Sequence, residues 1–307
     1  MRIFVTGGTG FFGKSVLERR VAVPGSSADR YTILSRDPEA FRRANPRFAG
    51  LPGVDWVKGD VRDFAFPDGP FDAIVHAATS AVTTLSDAEQ TSVILDGARH
   101  VAAFAKACGC HTVLFTSSGA VYGPQTAPVS EDAPCRPATA YGKGKLAAER
   151  LLLDAGLDVK IARCFAFTGP FLNRDIHYAV GNFVRDALAG RPIVIQGDGT
   201  PRRSYLFADD LVDWLFAILE RGETGRPYNV GSDRAVSIQE LAETVARVLG
   251  PGTSPVPHLR MPRSLVKVMG RPTGAPPSVY VPVVERAKRE LGLSVTVPLD
   301  AAIRKSV

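Results

Sequence analysis

The sequence predicts an α/β protein, with a doubly wound parallel sheet in its first half and a smaller mixed lobe toward the C-terminus. Three observations predict it. A glycine-rich turn, Thr6-Gly7-Gly8-Thr9-Gly10-Phe11-Phe12-Gly13, lies between a short apolar run and a helix-like stretch. Short apolar runs then alternate with helical patterns as far as Arg163, the rhythm of a parallel sheet with helical crossovers. After Gly169-Pro170 the runs become shorter and less regular.

Ile3-Phe4-Val5 is a buried-strand run, and Lys14 to Arg20 is helix-like. Strand, glycine turn and helix in that order form the context that a dinucleotide-binding turn needs. Gly7 permits the tight turn, Gly10 lets backbone approach a pyrophosphate, and Gly13 lets helix pack on strand. The helix N-terminus adds N–H groups for phosphate. The spacing is G-x-x-G-x-x-G rather than G-x-G-x-x-G.

Tyr31-Thr32-Ile33-Leu34 reads as the second strand. A carboxylate at its end would hold the ribose 2′-hydroxyl of NAD; this chain has Ser35-Arg36 there. A guanidinium suits a 2′-phosphate, so the residue choice leans to NADP(H), with NAD(H) as the alternative. The plainer reading is a solvent-facing Arg. Asp37-Pro38-Glu39 starts a helix. The third strand, Val54 to Asp60, ends at Asp60-Val61, where the carboxylate can meet the adenine amino group. The fourth, Phe71 to Ala78, ends on Ala77-Ala78, small enough for a cofactor to pass close. His76, on so apolar a strand, reads as a packed core histidine.

Residues 87–107 form a long helix, and His111 to Thr116 is a fifth strand opening onto Ser118. A Pro-rich loop from Pro124 to Pro137 precedes a helix that carries Tyr141 and ends near Asp154. Asp158 to Arg163 is the sixth strand. Ligands of such sheets sit at the strand C-terminal ends, where these motifs gather. Beyond it come a helix at Phe183 to Ala189, a strand and turn at Ile193 to Gly199, Arg202-Arg203, and Ser204 to Phe207. A helix at Asp209 to Glu220 should return to the sheet, followed by a short strand, Tyr228 to Val230. Ser237 opens a helix at 237–249, with Glu240 completing a capping box. Residues 251–282 read as a covering loop, and Val283 to Leu291 as the last helix. This divides the chain into a Rossmann-type NAD(P)-binding domain, 1–165 with 204–232 returning to it, and a substrate lobe, 166–203 with 233–307.

Ser118 and Tyr141-Gly-Lys-Gly-Lys145 carry the chemistry. Tyr and Lys four apart share one helix face. A phenol with pKa about 10 is a poor acid at neutral pH, but an adjacent ammonium stabilises the phenolate. Tyr141 then exchanges a proton with a substrate oxygen that Ser118 holds. Proton traffic of this kind accompanies hydride transfer by a nicotinamide. Taken alone, the Tyr-x-x-x-Lys spacing arises readily by chance; the strand before Ser118 and the glycine turn give it weight.

With 307 residues, 45% hydrophobic and 22% charged, the chain can bury a large core. A net charge of +6 is mild, and no basic tract or zinc-finger spacing points to nucleic acid. Cys108, Cys110, Cys135 and Cys164 make neither a CxxC motif nor a zinc site, so free thiols are expected and no metal. No apolar run approaches the roughly 18 residues of a membrane span, and no signal peptide is evident. A cytoplasmic protein is the expectation.

Together these motifs resemble the extended short-chain dehydrogenase/reductase family, in its nucleotide-sugar branch of 4-epimerases, 4,6-dehydratases and 4-ketoreductases. Thr6 to Gly13 is similar to the family's T-G-x-x-G-F-x-G, and Ser118 to Gly123 to its S-x-x-V-Y-G. Pro128 to Pro137, Gly197 to Arg203 and Tyr228 to Ser232 resemble three further motifs in the family order. The resemblance implies a catalytic trio of Ser118, Tyr141 and Lys145. It implies cofactor contacts from Gly7, Gly10, Phe11, Phe12, Gly13, Ser35, Arg36, Asp60, Val61, Ala77, Ala78 and Cys164, besides Tyr141 and Lys145. It gives Arg203 and Arg271 to a substrate diphosphate, which suits a guanidinium fork, and Thr79, His177 and Asn182 to the rest of a nucleotide sugar. It also implies a homodimer.

Three departures carry information. The dehydratases of this family have Asp and Glu after the catalytic hydroxyl; here Gly119 and Ala120 can move no proton. The family's Asn after the sixth strand is Ala166, and its Asp after the second is replaced by Ser35-Arg36. A reductase consumes NADPH at each turnover, whereas an epimerase recycles NAD. The residues therefore favour NADPH-dependent reduction of a 4-keto-6-deoxy nucleotide sugar, with an NAD-dependent 4-epimerase as the alternative. A 4,6-dehydratase and a non-catalytic NADP-sensing protein stand behind both.

Overall fold

The computed structural model describes residues 1–23, 28–79, 85–176, 179–249, 266–272 and 274–307. β1 (Arg2–Thr6) enters the glycine turn, α1 (Phe11–Leu17) leaves it, and one π-helical turn, Glu18–Ala22, extends the helix. β2 (Arg30–Ser35), α2 (Pro38–Ala44), β3 (Val54–Lys58) and β4 (Ala73–His76) follow. Then come α3 (Asp87–Ala107), β5 (Thr112–Ser118), α4 (Ala140–Asp154) and β6 (Asp158–Cys164).

The second half holds β7 (Phe167–Thr168), α5 (Ala179–Leu188), β8 (Ile193–Ile195), β9 (Arg202–Arg203) and β10 (Leu206–Phe207). α6 (Ala208–Arg221), β11 (Pro227–Val230), β12 (Val236–Ser237) and α7 (Ile238–Leu249) come next. β13 (Val266–Val268), β14 (Val279–Tyr280), α8 (Glu285–Leu291) and α9 (Leu299–Lys305) close the chain.

Seven strands form one sheet in the order β11-β6-β5-β4-β1-β2-β3, the doubly wound architecture that the sequence predicts. The pairs from β3 through β6 are all parallel. Chain order reverses between β1 and β4, which makes the C-terminal ends Thr6 and His76 the topological switch point. Both faces of the sheet are covered, so its central strands are apolar almost throughout: Ile3, Phe4, Val5, Ile74, Val75, Val113 and Leu114 are nearly or fully buried. Phe4 packs against the rings of Phe64 and Phe104, at centroid distances of 5.3 and 4.7 Å, beneath α3. Helix starts are fixed locally. Asp37 accepts from the Ala40 N–H at 2.9 Å, and Ser86 and Glu89 make a reciprocal capping box at the start of α3.

Backbone contacts divide the chain into two compact units. The first comprises Met1–Gly123, Pro134–Cys164 and Val212–Tyr228; the second comprises Pro124–Ala133, Phe165–Leu211 and Asn229–Val307. Inside the second, Val180, Phe183 and Val184 of α5 pack with Leu241, Val245 and Val248 of α7 and with Ile303 of α9. Small sheets, β12-β9-β14 and β13-β8, lie in the same unit.

Four details differ from the sequence expectation. The first helix starts at Phe11 rather than Lys14, and from Glu18 to Ala22 it is π-helical. α5 starts at Ala179 rather than Phe183. The span expected to be a covering loop holds β13 and β14 within its described part, and each pairs with a strand far earlier in the chain: Val266 with Ile193, Val279 with Arg202. Strands of two or three residues are too short to display alternation, and their pairing is set by tertiary contacts. The sequence also left α9 unmarked; its apolar stripe is little more than Ala302 and Ile303, both buried.

Candidate active site

Gly7 adopts φ +75°, and a Cβ there would fall 2.6 Å from the Ala77 carbonyl carbon. Only glycine serves both needs. A Cβ on Gly13 would lie 2.1 Å from the Gly8 Cα, so α1 approaches the turn as closely as backbone allows. Gly8, given no role by the sequence, is also crowded: a Cβ there would strike the Ile33 side chain, with Cγ2 at 2.2 Å. A Cβ on Gly10 would meet only the Gly7 oxygen, at 3.4 Å. The turn is therefore tight toward the sheet and open at Gly10, a cradle that fits a dinucleotide pyrophosphate. No acidic residue stands in the first turn of α1 to oppose an anion. Phe11 and Phe12, half-buried, begin that helix with ring centroids 5.8 Å apart.

At the end of β2, Ser35 is buried and its carbonyl accepts from the Gly59 N–H at 2.9 Å, while Arg36 is exposed. Asp60 is gripped by its neighbour Arg62, with Nε donating at 2.8 Å and Nη2 at 3.2 Å. Those bonds, with help from the charge of Arg36, hold the Asp60 carboxyl below its ordinary range despite partial burial. Val61 turns into the core. Ala77 and Ala78 are fastened to β1: Ala77 N–H donates to the Thr6 carbonyl at 3.2 Å and Ala78 N–H to Thr6 Oγ1 at 3.1 Å. Thr79, the next residue, is exposed.

The trio is set by β5 and α4. Ser118 ends β5, and its Oγ accepts from the Ala120 N–H at 3.2 Å, which starts a 3-10 turn, Gly119–Tyr122. That turn lies on the first turn of α4: a Cβ on Gly142 would fall 2.6 Å from the Ala120 oxygen. α4 itself starts when Thr139 Oγ1 accepts from the Gly142 N–H at 3.1 Å. Tyr141 is half-buried, whereas Lys145 is 1% exposed. The Lys145 ammonium donates to the Thr116 carbonyl at 2.8 Å and lies 5.9 Å from the centroid of the Tyr141 ring. Burial pushes that ammonium down to about 8, against the opposing pull of Cys164 and Glu149. Cys164, paired with Ser118 across β5 and β6, is a buried thiol pushed up to about 12 by the same burial, with the Lys145 charge opposing.

His76 behaves as a core residue. Its Nδ1 shares a 2.8 Å hydrogen bond with Thr6 Oγ1, its ring stacks on Phe115 at 5.4 Å, and burial, then the Lys145 charge, lower it to about 3.

Within the second unit, Arg203 on β9 donates from Nη1 to the Arg202 carbonyl at 2.8 Å and rests 5.8 Å from the Tyr280 ring centroid. Arg271 is exposed just past β13, where Gly270 packs on the Gly197-Asp198 backbone. Asn182 is half-buried on α5. His177 lies outside the described residues.

Sequence reasoning missed a buried cluster behind the trio. Arg163 donates to Glu149 through Nε at 3.0 Å and Nη2 at 2.8 Å, and through Nη1 to the Tyr122 hydroxyl at 3.1 Å. Ser117 Oγ donates to the same carboxylate. The signals were a Glu four residues past Lys145 on the same helix face, and an Arg in an otherwise apolar strand. None of the four cysteines is in a disulfide. Among the described residues no group of three His, Cys, Asp or Glu is placed to hold a metal, and no helix is long and apolar enough to cross a membrane.

The chain is similar to known proteins in sequence and in fold. The model of the NAD dependent epimerase/dehydratase family matches residues 3–231. A UDP-glucuronic acid decarboxylase from Arabidopsis thaliana is 32% identical over 273 residues, covering 82% of this chain and 75% of that protein. A dTDP-glucose 4,6-dehydratase from Streptomyces niveus is 29% identical, covering 84% of this chain and 81% of the relative. Among solved structures, a UDP-glucuronic acid 4-epimerase from Bacillus cereus in complex with NAD superposes with a TM-score of 0.81 at 20% identity, covering 100% of this chain and 95% of its own. A likeness at that identity speaks for the fold.

Proposed function

The chain belongs to the NAD dependent epimerase/dehydratase family, and on that footing we propose that it reduces the 4-keto group of a nucleotide-linked 4-keto-6-deoxyhexose with NADPH. Its family relatives act on nucleotide sugars as decarboxylases and dehydratases by name. The observation that carries the finer choice is the end of β2, where exposed Arg36 stands in place of a carboxylate. A guanidinium is a good partner for a ribose 2′-phosphate, and an enzyme that consumes its reductant gains from that selectivity.

A nicotinamide, when bound, would bring hydride-donor chemistry to sugar carbon 4. The chain supplies the rest. Tyr141 gives its proton to the carbonyl oxygen as the alcohol forms, Ser118 holds that oxygen, and Lys145 stabilises the phenolate left behind. Gly7, Gly10 and Gly13 would cradle the pyrophosphate, with Phe11 and Phe12 beside them. Ser35 and Arg36 would hold the adenosine ribose, Asp60 and Val61 the adenine, and Ala77, Ala78 and Cys164 would line the path between. Arg203 and Arg271 take the substrate diphosphate, and Thr79, His177 and Asn182 the sugar end. Gly119 and Ala120 provide no acid or base for removing water, which argues against a 4,6-dehydratase. The division into cofactor domain and substrate lobe, the homodimer and the cytoplasmic setting belong to the same proposal.

A second reading, an NAD-dependent nucleotide-sugar 4-epimerase, draws on the solved neighbours named as 4-epimerases and on those carrying NAD. One experiment separates the two. The protein is mixed with NADPH and a nucleotide-linked 4-keto-6-deoxyglucose, and the absorbance of the reduced cofactor is followed. Oxidation is expected with one nucleotide carrier. No oxidation with any carrier, together with interconversion of UDP-glucose and UDP-galactose, would establish the epimerase instead.

A further inference from the structure

Tyr141, Lys145 and Glu149 lie one turn apart along a single stripe of α4. The upper two belong to the trio; the third is 3% exposed and takes a two-pronged grip from Arg163, itself 7% exposed. Successive residues of β5 are stitched to successive turns of the helix. Thr116 accepts from Lys145, and Ser117 donates to Glu149. Arg163 comes from β6, directly across from Ser117. Its third contact, Nη1 to the Tyr122 hydroxyl, reaches the end of the 3-10 turn that Ser118 begins, and its Cζ lies 5.0 Å from the Tyr122 ring centroid. One guanidinium thus touches the element carrying Tyr141 and Lys145 and the turn carrying Ser118.

We propose that Glu149 and Arg163 are positioning residues: together they clamp α4 and the Gly119–Tyr122 turn so that Tyr141, Lys145 and Ser118 face one substrate oxygen, a role that rests on the trio assigned above. The Lys145 side chain alone is a poor anchor, because a four-carbon stem carrying a point charge tolerates many helix positions. A forked guanidinium on a carboxylate tolerates few. Burying such a pair is a weak route to stability, so geometric specificity is the better account of its place behind a reactive lysine. Among the described residues, the titratable groups facing Lys145 are His76 from β4 and Cys164 from β6, both uncharged at neutral pH, and Tyr141 and Glu149 from its own helix. Glu149 is the one anionic side chain among them, and Arg163 offsets it from behind.

The test uses the full-length protein with Glu149→Gln and with Glu149→Gln/Arg163→Gln. The ionisation of Tyr141 is read without substrate, as the pH-dependent ultraviolet difference between each protein and the same protein carrying Tyr141→Phe. Turnover is read in the NADPH assay above. Glu149→Gln removes the anion and leaves the guanidinium, so the first ionisation of the Tyr141–Lys145 pair should move down, on the order of one pH unit. The double variant removes both charges and the fork with them, so the midpoint should rise above the wild-type value as Lys145 loses its fixed place beside Tyr141. In both, kcat should fall about tenfold with KM little changed. A purely structural pair predicts lower unfolding temperatures, a double-variant midpoint at the wild-type value and unchanged kcat, and that result would overturn the proposal. Loss of folding in both variants would overturn it too, by making the pair a requirement of the fold. If wild-type protein shows no NADPH turnover, the substrate assignment fails while the titration still decides the clamp.

Discussion

The Lys145 ammonium lies 5.9 Å from the centroid of the Tyr141 ring and is tethered to the Thr116 carbonyl at 2.8 Å. A charge this well buried beside a phenol lowers the energy of the phenolate, because little water screens it.

Tyr141→Phe should abolish turnover, a loss of several orders of magnitude, while dinucleotide binding survives. Cofactor oxidation reads the first and a thermal shift with NADPH reads the second. Retained turnover would remove Tyr141 from the reaction.

Arg36→Ala should weaken NADPH binding about ten- to a hundredfold and leave NADH nearly unchanged, since a charge-assisted bond to phosphate is worth about 1.5–3 kcal/mol. Tryptophan quenching with each cofactor measures the ratio. Wild-type protein that binds NADH as well as NADPH would count against the role.

Lys145→Met should remove turnover and stabilise the fold at neutral pH. The folded ammonium titrates near 8 against an ordinary 10.5. The unfolded chain therefore holds the extra proton between those values, and the stability present above 10.5 is lost as pH falls toward 8. The penalty remaining at pH 7 is about 3 kcal/mol by linkage. Urea unfolding at pH 7 and near pH 10 checks it: the variant's advantage should shrink at the higher pH. A variant less stable than wild type at pH 7 contradicts this.

His76→Gln should flatten acid unfolding. The folded imidazole is held near 3 against an ordinary 6.5, so its contribution is present above 6.5 and is lost as pH falls toward 3. The slope across that window is about 1.4 kcal/mol per pH unit. Stability measured at pH 7, 5.5 and 4.5 should fall less steeply in the variant. Parallel slopes would mean that other groups dominate acid unfolding.

The glycine turn, the alternation of strands and helices, and the positions of Ser118, Tyr141 and Lys145 are all local patterns, set by φ freedom, by burial on both sheet faces and by helical spacing. The sequence by itself therefore determined the sheet, its switch-point turn and the helix stripe carrying the Tyr and Lys. The pairing of Val266 with Ile193, the burial of α9, and the meeting of Arg163 with Glu149 and Tyr122 depend on segments distant along the chain. Only the tertiary structure decided these, because a two-residue strand or a lone buried charge has no periodic signature; its partner is chosen by which surfaces the fold brings within a few ångströms.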